Sequence, residues 1–301
     1  MAGIATIAKK EFVDHVSDRT FLLCFATLLL VMTGSAFYQV QRYSGITVQP
    51  AWLQIPEYLH LYLTTQLSSL GALLAIALSI TSIQKERTEG SLKVLLSYPI
   101  YRDKIILGKL LAGALVLTLV ATASTAISFS IMAYYISIPL TIDFLLRVAA
   151  ITAMGIALLT FFLCLGTAVS TVVHSSAASL MILLIAVFLL RGETLFTAVI
   201  VMSRLFPGFS TASIPFYQGG SYAFTTAGYG VFRSYALASP VEAYHNFSQE
   251  IFKFLPSWGS STRLTFEGQL FKSIDLVAVQ LAFTACAFIA CYLLFTRRDV
   301  A

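Results

Sequence analysis

Apolar and polar positions alternate along this chain on the scale of whole segments. Runs long enough as helices to cross about 30 Å of hydrocarbon are separated by shorter stretches that carry most of the charge. These runs predict spans at 21–40, 61–83, 108–136, 144–170 and 276–295. A further apolar run at 177–190 is short for a crossing; Arg191-Gly-Glu193 interrupts it and 194–206 is apolar again. Two arrangements fit: one long span with the Arg191/Glu193 pair at its external rim, or a broken segment that re-enters the membrane. The second needs its irregular backbone buried against protein, because unsatisfied amides are costly in lipid. Counted as the fifth span, this region completes an all-α polytopic membrane protein with six transmembrane helices.

The polar stretches have their own patterns. Residues 4–17 place Ile4, Ile7, Ala8, Phe12 and Val16 on one side, with Lys9, Lys10, Glu11 and Asp14 largely elsewhere, which fits a helix lying in the interface plane. The acidic residues before the first apolar run, and that run's length, argue for a retained span rather than a cleaved signal peptide. Residues 42–58, with Pro50, Trp52 and Pro56, predict an extended external loop. Residues 84–109 form a charged island in which Leu92, Leu95 and Leu96 recur at helical spacing, giving a short amphipathic helix that ends at Tyr98-Pro99. Such a helix at a membrane hairpin fits a soluble partner's groove or the lipid surface. From 192 to 275 aromatics and glycines alternate, predicting a compact external cap. Within it Ser239-Pro240-Val-Glu242 starts a helix whose stripe Val241, Tyr244, Phe247, Ile251, Leu255 packs on the cap or the interface.

Charge sets the topology. The island's Lys85, Arg87, Lys93, Arg102, Lys104 and Lys109 oppose Glu86, Glu89 and Asp103, a formal +3, whereas 192–275 is neutral. The positive-inside rule puts the island, and with an even number of spans both termini, in the cytoplasm. Composition agrees: 58% hydrophobic, 11% charged and a mean hydropathy of +0.84 place the chain in the membrane class. Its net +5 is concentrated beside spans, which makes it topological and points away from nucleic acid.

Candidate chemistry is sparse. The four cysteines, Cys24, Cys164, Cys286 and Cys291, fall in apolar runs and imply no disulfide framework. Glu57-x-x-His60 has metal-like spacing without further ligands. No G-x-x-x-x-G-K-[ST] phosphate cradle occurs, so a nucleotide that powers this chain binds to another polypeptide. Ionisable residues fall at predicted span ends, where Arg147 can snorkel to headgroups or face a pore. The hydroxyls Thr118, Thr122, Thr125 and Ser128 of the third span are candidates for a translocation lining, with core packing and bonding to the preceding turn as the alternative.

The island carries a resemblance at residue level. Glu86-Arg-x-x-Gly90-Ser-Leu-x-x-Leu-Leu-Ser97-x-Pro99-Ile-x-Arg102-x-x-Ile105-Ile-x-Gly108-Lys109 is similar to the cytoplasmic loop of ABC-2 type transporter permeases, in the branch serving nitrous oxide reductase maturation. The resemblance implies one transmembrane domain over 1–301: an elbow helix at 1–19, a coupling loop at 84–109, and an external cap with short helices and a re-entrant region at 191–275. It implies a multi-pass cell-membrane subunit that exports a substrate as a dimer, homo- or heteromeric. The chain itself would bind no cofactor; a soluble ABC ATPase subunit would hold ATP and Mg and receive the coupling helix. Glu86, Glu89, Gly90, Ser91, Leu92, Leu95, Leu96, Pro99 and Arg102 are the expected coupling residues. Read without the resemblance, the chain also suits a membrane scaffold or assembly factor that binds a protein through its cap, or an ion-driven carrier. The dispersed methionines give no paired spacing for copper.

Overall fold

The computed structural model describes residues 3–44, 63–88, 102–136, 141–173, 175–191, 216–218, 221–223, 239–252 and 265–297. Among them the fold is helical apart from a hairpin of two three-residue strands, Phe216–Gln218 and Ser221–Ala223. In chain order the helices are α1 (Ile4–Ser17), α2 (Arg19–Ser44), α3 (Ala72–Thr88), α4 (Arg102–Ile136), α5 (Ile142–Val172), α6 (Ser176–Leu189), α7 (Pro240–Phe252), α8 (Phe266–Lys272) and α9 (Ile274–Arg297). A short helical stretch from residue 63 and a π-helical turn, Leu67–Gly71, lead directly into α3.

Among the described residues, five helical segments are long and apolar enough to cross a membrane: Arg19–Tyr38, Leu63–Gln84, Asp103–Tyr135, Ile142–Val172 and Ile274–Arg297. This is a multi-pass membrane protein. The helices overrun the predicted apolar runs because polar residues at their ends still complete helical turns. Thr141 caps α5 by accepting the Phe144 amide at 3.2 Å, and Arg102-Asp103-Lys104 begins α4 six residues before the apolar run. Ser176–Leu189 is the shorter apolar helix, and Ser239 Oγ donates to the Leu190 carbonyl at its end. Ser239, just before α7, thus lies beside the point where α6 stops; the apolar stretch 194–206, which separates a broken segment from one long span, lies outside the described residues.

α5 forms the centre, with α3, α4, α7 and α9 packed on it, while α4 also carries α1 and α2. Because lipid supplies no hydrophobic drive between spans, close packing and polar ties must fix these contacts. Gly166 of α5 shows how close they come: a Cβ built there lies 1.9 Å from Ser79 Oγ on α3. Much of the apolar surface of α2 and α9 faces outward, Leu23, Leu30, Leu281 and Ile289 among it, as befits lipid-facing helices.

α7 departs from expectation. It carries the predicted cap helix from Pro240, but its flanks do not lie open at an interface. Val241, Glu242, Ala243, Tyr244, Phe247, Ser248, Ile251 and Phe252 are all buried, against α5 and α9. Tyr244 Oη lies 3.2 Å from a Cβ built on Gly155, two residues from the midpoint of α5. Glu242 is thus buried and His245 half-buried among helices rather than held at an open interface. The cause is legible in the stripe: aromatics flank the polar residues on both sides, so only an insertion into protein buries them all.

Candidate functional site

The two legs of the charged island stand at one end of the bundle. α3 carries the backbone of Glu86 two residues before its end, and Arg102 opens α4. Glu89, Gly90, Ser91, Leu92, Leu95, Leu96 and Pro99 lie between them, outside the described residues. What the structure does describe is the base on which this segment stands.

That base centres on Lys109, seven residues inside α4. Its Nζ donates to Glu11 Oε1 of α1 at 3.0 Å and to the Ser82 carbonyl of α3 at 3.2 Å. The lysine side chain is 3% exposed and the glutamate 11%. The adjacent Gly108 lets α1 approach: a Cβ there would lie 2.7 Å from Ile7 Cγ2 and 2.9 Å from Ile7 Cβ. α1 keeps most of the face its sequence predicts, Ile7, Ala8, Phe12 and Val16 packing inward, but Glu11 and His15 join it and Ile4 does not. Ala8, Glu11 and His15, at i, i+3 and i+7, form the buried stripe, while Ile4 is exposed. Glu11 is buried because Lys109 meets it there, the condition under which a buried carboxylate is tolerated. Burial lowers the His15 pKa from its ordinary 6.5; Glu11 opposes that shift and Lys109 adds to it. On the next face, Gln84 Nε2 donates to Ser179 Oγ at 3.1 Å, tying the end of α3 to α6.

The opposite end has a second charged node. Arg147, 4% exposed, donates from Nε to Asp143 Oδ2 at 2.7 Å and from Nη1 to the Ile251 carbonyl and to Gln269 Oε1. Asp143 Oδ1 in turn accepts the Phe266 amide at 3.1 Å. One arginine thus joins α5 to the last turn of α7 and to α8. It neither snorkels to solvent nor lines an open channel, because it satisfies the Ile251 carbonyl that the end of α7 leaves free. Phe129, Phe144 and Phe252 pack with ring centroids 6.0–6.2 Å apart and close the same corner with aromatic contacts.

Between the ends, the π-turn presents Ser68 Oγ to His245 Nε2 at 2.9 Å. The third-span hydroxyls divide. Thr118 and Thr122 bond back to the carbonyls of Ala114 and Thr118, and Thr122 is exposed. Thr125 is buried, bonds to Ala121 and meets Thr152 Oγ1 of α5 at 3.2 Å. Ser128 Oγ is buried with no hydrogen-bond partner, as are Tyr244 Oη and both amide atoms of Gln280. Among the described residues no group of three or more His, Cys, Asp or Glu is placed to hold a metal, and Cys286 is exposed while Cys164 and Cys291 are buried. Glu57, His60 and His174 lie outside the described residues.

Compared with known protein families, residues 5–300 match the model of the ABC-2 family transporter proteins. The chain belongs to that family. A curated relative, the probable ABC transporter permease protein NosY of Pseudomonas aeruginosa, is 31% identical over 133 residues. The aligned stretch covers 42% of this chain and 46% of the relative, about half its length. Within this ABC-2 protein, sequence reasoning treated Lys109 as a topological cation and Glu11 as part of a polar face. The available signal was the pair Gly108-Lys109, a small residue beside a cation inside a span, together with an acid in register with Ala8 and His15.

Proposed function

We propose that this chain is the membrane-embedded permease subunit of an ABC transporter, moving its substrate outward with energy from a separate soluble ATPase subunit that binds ATP and Mg. The observation that carries the reading is the hairpin of α3 and α4, which brackets 89–101 at the end where α1 is attached, in a chain matched to the family from 5 to 300. In this scheme Leu92, Leu95 and Leu96 fill a cleft on the ATPase, and Glu86 and Glu89 pair with its basic groups. Gly90 allows a close turn, while Ser91, Pro99 and Arg102 frame the segment. The island and both termini face the cytoplasm of a cell membrane, as the island's formal +3 favours. Two permease copies enclose the pathway, to which Thr118 and Thr122 contribute, while Thr125 and Ser128, buried within the protomer, back that face. Closure of the ATPase pair then tilts α3 and α4 as a rigid pair.

The test is co-purification of the full chain with the soluble ATPase encoded beside it, measuring ATPase activity with and without the permease. Stable association with altered turnover, lost in Leu95→Asp/Leu96→Asp while membrane insertion persists, is the expected result. Failure of the wild-type chain to associate overturns the reading and favours a scaffold that binds a protein through 191–275.

A further inference from the structure

Lys109 has more to do than neutralise Glu11. Its ammonium reaches across the base of the hairpin: it belongs to α4, bonds the Ser82 carbonyl six residues before the end of α3, and ion-pairs with Glu11 of α1. Three elements that no short connection joins at this point thus share one donor. Gly108 seats Ile7 against the α4 backbone, so α1 lies on α4 with little room to slide independently. Ile105 and Ile106, one turn nearer the island, are fully buried, so the α4 leg is packed from its first turns.

We propose that Lys109 is a positioning residue for energy coupling: the joint through which displacement of 89–101 passes as one movement to α1, α3 and α4. This rests on the permease reading above. Without the joint, a push on the segment would spread its legs, since α3 packs mainly on α5, and α4 on α1, α2 and α5, rather than on each other. With it, neither leg moves without the other, and α1 is carried along. A methionine at 109 preserves length and packing but removes both bonds; an arginine keeps a cation able to donate to Glu11 and to Ser82. A glutamine at 11 retains an acceptor without the charge.

Two measurements on the full chain in lipid nanodiscs test the proposal. The first is ATPase activity of the purified complex with Mg-ATP. Lys109→Met and Glu11→Gln are expected to keep the ATPase bound while the permease-dependent change in turnover shrinks about fivefold or more, the scale of a typical coupling free energy, and Lys109→Arg to restore it. The second needs no partner: hydrogen exchange of the permease alone. In Lys109→Met, amides of α1, of 82–88 and of 102–108 are expected to lose protection together. Unchanged coupling in both variants overturns the joint, as does loss of ATPase binding in step with loss of folded protein. Faster exchange confined to α1 also overturns it, because Lys109 would then only anchor that helix. If the wild-type chain binds no ATPase, the permease reading fails on the first measurement and the mechanical link between α1 and the two legs is still decided by the second.

Discussion

Replacing Arg147 with methionine removes the tie between α5 and the inserted helix α7 while keeping an unbranched apolar stem. The guanidinium gives up two acceptors at buried positions, the Ile251 carbonyl and Gln269 Oε1. Hydrogen bonds from charged donors contribute about 1.5–3 kcal/mol each, and truncating one member of a buried charged network costs about 3–5 kcal/mol in water-soluble proteins. Two facts lower the expectation. Polar ties in membrane bundles average nearer 0.6 kcal/mol, because the separated helices find other partners. Arg147 also lies only five residues inside α5, where headgroups can solvate it when α7 lifts away. About 2 kcal/mol remains, roughly a thirtyfold change in the opening equilibrium.

Asp143 supplies the control. Its side chain is 49% exposed, so its ion pair with Arg147 falls in the range of surface pairs, and Asp143→Asn should cost about 0.5 kcal/mol or less. Hydrogen exchange of the full chain in nanodiscs reads both, through amides of α7 from Phe247 to Phe252, which local opening exposes. About thirtyfold faster exchange in Arg147→Met, with α3 amides unchanged, is the expected result. Exchange within twofold of wild type, or an equal effect from Asp143→Asn, would refute the assignment of the load to the buried acceptors.

Two further outcomes follow from close contacts and burial. Gly166→Ala should destabilise the bundle by about 1–3 kcal/mol through overpacking against Ser79, and Ser79→Gly in the same chain should recover part of it, measured as the folded fraction surviving heating in detergent. Burial holds His15 below 6.5, so the unfolded chain takes up a proton at higher pH than the folded one; stability is full above 6.5 and falls as pH drops from there through the folded-state value. Protection of α1 amides should therefore decline between pH 7.5 and pH 5.5 beyond the intrinsic rate change, and His15→Gln should flatten that decline.

Segment lengths made most of this fold legible. A run of about 20 apolar residues has few fates, so five spans could be placed closely at every end but the start of α4, where Asp103 precedes the predicted start at 108. Caps were legible where side chain and backbone are neighbours: Ser239-Pro240 starts α7 as its sequence dictates, with the Glu242 amide reaching Ser239 Oγ at 3.5 Å. What hydropathy conceals is which partner a polar residue finds. Glu242 and His245 resemble surface positions because window averaging counts their polarity and ignores Ser68, 177 residues away, which meets His245. Glu11 looks solvent-facing for the same reason, its partner being 98 residues distant. The row of hydroxyls in α4 was equally ambiguous: Thr125 meets Thr152 of α5 and Ser128 is buried while Thr122 is exposed, a division that depends on where the neighbouring helices lie.

The two charged nodes share a position that separates them from topological cations. Lys9 and Lys10 are exposed in a helix outside the spans, and their charge biases orientation whatever they touch. Lys109 and Arg147 lie seven and five residues inside their helices, each a turn or more beyond the helix start, and each is at least 95% buried. At that depth a cation must either stretch back to water or be met by protein. Both are met by a carboxylate together with a main-chain carbonyl, that of Ser82 within α3 and that of Ile251 in the last turn of α7. The Ile251 carbonyl recruits its cation because the helix end leaves it unsatisfied, and both cations tolerate burial because carbonyl and carboxylate replace their hydration. Each node therefore forms only when a particular helix arrives, α1 with Glu11 at one end and α7 with the Ile251 carbonyl at the other, which makes their docking specific in a solvent where apolar contact alone discriminates poorly.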